Sequence, residues 1–131
     1  MNDQNRNQYY SEEFAEHIKS AFNVLKKSYA IIPTLFWENK IYFMDYLHDE
    51  LADKVIEIRF DSATLTCWFN EDNVCNKSFL FLDDLDNMKY YVDYLNQEFA
   101  YDYTLLRWTK GDLSVQVKLE KEDSLFIFRQ A

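Results

Sequence analysis

Tyr90 and Tyr94 stand four residues apart, with Asp86, Asp93 and Gln97 at spacings that bring all five to one side of a helix. Two phenol rings flanked by carboxylates suit a surface that meets Arg or Lys. The rings supply area and cation–π attraction, and the carboxylates supply charge. Burial against another segment is the competing use for the same rings. Asp83 and Asp84 extend the acidic group at the start of that helix, and Asp61, Glu71 and Asp72 form a second acidic group at expected strand ends.

Other chemistry is harder to assemble. Asp83-Asp84-Leu85-Asp86-Asn87 is dense in oxygen ligands but lacks the alternating positions, turn Gly and distal Glu of a calcium loop. A capped helix with an acidic first turn accounts for it without an ion. His48 has Asp45 and Asp49 nearby, but the only other histidine, His17, falls on the flank of a distant helix. No Ser elbow supplies a nucleophile, and carboxylate pairs such as Asp49/Glu50 are ordinary in an acidic chain. Gly111 is the only glycine, so a P-loop and a dinucleotide fingerprint are impossible. Cys67 and Cys75 lack metal or redox spacing. The expectation is a protein with no catalytic residue, no metal and no cofactor.

Charge points to the partner. Of the net −9, residues 45–86 contribute eight, with eleven acids against Lys54, Arg59 and Lys77. Such an asymmetry steers basic partners inward. Direct nucleic-acid binding is not expected, because the 131-residue chain lacks a basic run and its net charge repels phosphates. The longest apolar runs, such as Ile41–Met44 and Phe79–Leu82, are far too short for a membrane span. With no signal segment and only two cysteines, a reduced, cytoplasmic setting is expected.

The elements that must position these groups follow from periodicity. Ser11 is placed to cap a first helix whose stripe is Phe14, Ile18, Ala21, Phe22, Leu25 and Tyr29, ending before Pro33. Residues 34–53 fit either a helical face (Ile41, Met44, Leu47, His48, Leu51) or a strand through Leu35–Met44 and a short helix. Period-two alternation predicts strands at Ile56–Phe60, Ala63–Phe69 and Ser78–Leu82. Leu85, Met88, Val92, Leu95 and Phe99 form the buried stripe of a helix over 84–99. Tyr103–Trp108, Leu113–Leu119 and Ser124–Phe128 read as three more strands, with Gly111 in a hairpin turn. The expected fold is α+β: a polar tail over 1–10, then one domain over 11–131. Its parts are an amino-terminal helical part, an antiparallel three-stranded meander, a central helix and a second three-stranded antiparallel block.

In general character the chain resembles the small acidic inhibitors found as toxin-immunity proteins and phage anti-defence proteins. That likeness is one of composition and implies a protein that occludes a basic nuclease or nucleic-acid-binding effector, without carrying any residue across. Two other readings stand beside it. One is a self-associating structural or regulatory module, with a homodimer as its form. The other is a small-molecule-binding domain with an aromatic pocket around Trp37, Trp68 and Trp108.

Overall fold

Alternating apolar residues in separate segments build one buried surface. Ile56 and Ile58, Leu65 and Cys67, Leu80, and Phe126 and Phe128 all turn to the same face of a sheet. The computed structural model describes the backbone of residues 3–48, 51–119 and 124–130, and the side chains of 12–44, 54–119 and 124–130. The side chains of Ser11, Asp45, His48, Asp49 and Glu50 lie outside the described residues.

The order along the chain is α1 (Asp3–Asn23), α2 (Ile32–Leu35), β1 (Lys40–His48), β2 (Leu51–Arg59), β3 (Ala63–Phe69), β4 (Cys75–Leu82), a 3₁₀ turn (Leu85–Asn87), α3 (Met88–Glu98), β5 (Ala100–Asp102), β6 (Arg107–Lys110), β7 (Leu113–Leu119) and β8 (Ser124–Gln130). All eight strands join one antiparallel sheet in the order β1-β2-β3-β4-β8-β7-β6-β5. This corrects the expected meander plus separate three-stranded block, although the class remains broadly α+β. The last strand inserts between β4 and β7, pairing Leu80 with Phe126 and Val115 with Phe128. Both β4 and β8 carry apolar residues on both faces, as central strands do.

Local expectations also change. The first helix starts at Asp3, ahead of Ser11, so Ser11 is not its cap. It stops at Asn23 because the following chain pairs with the β3–β4 loop. Lys26 N–H donates to Cys75 O at 2.7 Å and Tyr29 N–H to Asn73 O at 2.9 Å, with Lys26 at φ +68°. Pro33 opens the short α2, where its missing N–H has no helical partner to lose. Residues 40–48 form an edge strand, not a helical face, because β2 supplies nine register partners from Lys40↔Arg59 to His48↔Leu51. Residues 103–106 form a turn, with Leu106 at φ +54°, so the strand predicted over Tyr103–Trp108 gives way to the ends of β5 and β6.

Both long helices pack on one sheet face. Phe22 of α1 meets Phe128 edge-on at 4.9 Å, and Tyr91 of α3 lies 5.5 Å from Phe126. Ser78 Oγ donates to Ala21 O at 2.7 Å, satisfying a buried hydroxyl beneath α1. Each fully buried Phe, Leu or Ile contributes roughly 1.5–3 kcal/mol. No helix among the described residues is long and apolar enough to cross a membrane.

Candidate functional site

Ser62, in the turn between β2 and β3, gathers an acidic group at one end of the sheet. Its Oγ donates to Glu13 Oε1 at 2.8 Å, and its carbonyl accepts from Asp83 N–H at 3.2 Å. Glu13 on α1, Asp61 beside Ser62, and Asp83 beyond β4 therefore meet although they are far apart in sequence. Asp84 accepts from Asp86 N–H at 2.9 Å and caps the 3₁₀ turn that leads into α3. Asp61, Asp83, Asp84 and Asp86 are all exposed.

Beside this group lies a cleft of about 350 Å³ lined by Glu13, His17, Asn39, Phe60 and Asp61. Its floor is aromatic: the His17 and Phe60 rings stack at 4.6 Å and 7°. Asn39 is held by donating its Nδ2 to Arg59 O at 3.2 Å. His17 Nδ1 meets the Tyr91 hydroxyl at 2.8 Å. Burial holds the His17 pKa below its ordinary value, against the opposing pull of Glu13, Asp61 and Glu16. Burial, followed by the negative charge of Glu13, raises the Tyr91 pKa. Two carboxylates, an amide and stacked rings are groups of the kind that attract a guanidinium or ammonium group.

The remaining expected site residues lie elsewhere. Glu71 and Asp72 are exposed in the β3–β4 loop, at the other end of β3, roughly 23 Å along a seven-residue strand. Asp93 and Gln97 are exposed on the outer side of α3. Tyr90 and Tyr94 are half-buried and pack against the core. Phe14 stacks on Tyr90 at 5.4 Å, and the Lys89 amine lies 5.1 Å from the same ring. Burial raises the Tyr94 pKa. The α3 stripe is centred on Tyr91 and Leu95, both fully buried, while Leu85 is 58% exposed.

His17, Tyr91, Glu13, Ser62 and Asn39 were not expected at a site. His17 carries a visible signal, since it falls three residues after Phe14 on the apolar stripe. Tyr91 likewise follows Met88 by three and precedes Leu95 by four. The three tryptophans do not share a pocket: Trp37 is 77% exposed, Trp108 is buried under α3, and Trp68 lies on the opposite sheet face. Among the described residues, no group of three or more His, Cys, Asp or Glu is arranged to hold a metal ion. Comparison with protein-family models, curated proteins and solved structures found no match to this chain.

Proposed function

We propose that this protein is a small acidic inhibitor that binds and occludes a basic partner, such as a nuclease toxin or a nucleic-acid-binding effector, in the manner of immunity or anti-defence proteins. The observation that carries this reading is the gathering of Glu13, Asp61 and Asp83 around Ser62, beside a cleft lined by Glu13, Asp61, Asn39 and the stacked His17 and Phe60 rings. Asp84 and Asp86 extend the acidic group toward α3, and Asp93 and Gln97 add polar surface on the outer side of that helix, with Tyr90 and Tyr94 half-buried beside them. Glu71 and Asp72 steer at longer range. The protein acts by binding, with no chemistry of its own. Its buried free thiols, Cys67 and Cys75, fit a reducing, cytoplasmic setting.

The test is a pull-down at low salt with mass spectrometry, repeated with Asp61→Lys, Asp83→Lys and Asp86→Lys combined. A basic protein held by the wild type, inhibited by it, and released by charge reversal supports the proposal. Retention after reversal, or retention insensitive to salt, overturns the electrostatic account.

A self-associating module is the second reading, favoured by the open edge of β1, where Tyr42 and Phe43 are 47% and 57% exposed. Light scattering across a concentration series distinguishes it, since a dimer lost on Phe43→Lys belongs to this reading alone.

A further inference from the structure

The sheet face opposite the helices has a composition unlike the rest of the chain. Register places its side chains in three rows across β2, β3, β4, β8 and β7. The first is Val55, Trp68, Lys77, Arg129 and Ser114; the second is Glu57, Thr66, Phe79, Ile127 and Gln116; the third is Arg59, Thr64, Phe81, Leu125 and Lys118. On β1, Met44, Tyr42 and Lys40 continue the rows. Among the side chains described on this face of these six strands, five are basic and only Glu57 is acidic.

Two features of this face point to an anion. Lys77 stands directly opposite Arg129, and Lys40 directly opposite Arg59. Like charges so placed destabilise a sheet unless something neutralises them. Glu57 answers the second pair, its Oε2 3.9 Å from Arg59 Nε, but it sits two strands away from Lys77. The cations also interleave with aromatic rings: the Lys77 amine lies 5.9 Å from the Trp68 centroid and 5.8 Å from that of Phe79, and the Arg59 guanidinium 5.9 Å from that of Tyr42. Trp68, Phe79 and Phe81, all half-buried, form a chain of rings 5.9 and 6.5 Å apart, the first pair edge-to-face at 75° and the second tilted by 34°. A depression of about 180 Å³ opens between Trp68, Phe79, Phe81, Lys118, Leu125 and Ile127.

We infer that this face binds single-stranded nucleic acid, with bases on the Trp68–Phe79–Phe81 platform and phosphates met by the cations of the first and third rows. Those rows lie roughly 13 Å apart, four residues along a strand. Aromatic platforms with flanking cations bind single strands because every base offers a π-face. A duplex is a poorer fit, since its bases are already stacked on one another. A second copy docked face to face would bring the basic rows against each other. The net charge of the chain, which argues against phosphate binding, averages two faces that the fold separates. Glu16 and Asp93 are exposed on the helices, on the other side of the sheet, whereas Asp61 and Asp83 border the third row from the turns at its end.

The test is fluorescence anisotropy of labelled oligo(dT) and oligo(U) 20-mers with the full chain at 50 mM salt, beside a duplex of equal length and poly-glutamate. Single strands are expected to bind at least tenfold more tightly than either competitor. The affinity should fall with a log–log salt slope between about −2 and −3.5, at about 0.7 per neutralised phosphate. Lys77→Glu with Arg129→Glu should weaken binding at least tenfold, as should Phe81→Ala alone, with circular dichroism showing each variant folded. Asp86→Lys with Asp93→Lys, on the helical side, should leave oligonucleotide binding intact, so this inference and the proposed inhibition fail separately. No binding at 50 mM salt, equal affinity for duplex, or preference for poly-glutamate overturns the inference. So does a concentration-dependent dimer abolished by Phe81→Ala.

Discussion

The Tyr91 hydroxyl lies 2.8 Å from His17 Nδ1, a buried polar contact that ties α3 to α1 across 74 residues of sequence. The two rings share their surroundings with Phe14, whose centroid lies 4.6 Å from Tyr91 and 6.0 Å from His17. The contact thus sits inside the helix–helix interface, and its His17 ring also lines the acidic cleft.

Tyr91→Phe keeps the ring and removes the hydroxyl, leaving buried His17 Nδ1 without that partner. A loss of about 1–3 kcal/mol is expected, read as a lower urea midpoint with an unchanged slope. No change in midpoint would show that the contact adds nothing to stability.

His17 also sets a pH dependence. Its pKa is lowered in the folded state, so the unfolded chain binds the proton more readily. Stability from this group is full above the ordinary value of 6.5 and declines as pH falls through 6.5 toward the folded pKa. Urea titrations from pH 8 to 5 should show that decline, and His17→Gln should flatten it. An identical slope in both proteins would rule out His17 as its source.

The acids before α3 have separable roles. Asp84 caps through its side chain, whereas Asp83 contributes its backbone N–H to Ser62. Asp84→Ala should therefore cost about 1 kcal/mol and Asp83→Ala far less, measured by thermal melting. Equal losses would contradict the cap assignment.

Gly111 turns the β6–β7 hairpin at φ +61°, and a Cβ there would meet nothing within 4 Å. Strain alone then sets the effect of Gly111→Ala, about 1–2 kcal/mol for a left-handed L-residue. Gly111→Asn should lose less, and equal melting temperatures for the wild type and the Ala variant would exclude strain.

Much of the sheet was legible in the sequence. Ile56/Ile58, Leu65/Cys67 and Val115/Val117 announce their strands because alternate side chains go to opposite faces. A cap at Asp83 or Asp84 and the turn at Gly111 were legible too, being local hydrogen-bonding and backbone effects, although Asp84 caps the 3₁₀ turn ahead of α3 and not α3 itself. The junction of β4 with β8 was not, because cross-strand partners distant in sequence leave no local period. Nor was the end of α1, which is set by hydrogen bonds to residues 73 and 75.

Composition and periodicity by themselves determined the acidic character of the chain, its α+β class and most of its strands. The tertiary structure alone decided that eight strands make one sheet, that Glu13, Asp61 and Asp83 converge on Ser62, and that Lys77 faces Arg129. The physical reason is that charge and alternation are properties of single segments. Which segments become neighbours depends on how apolar faces from the whole chain are buried together.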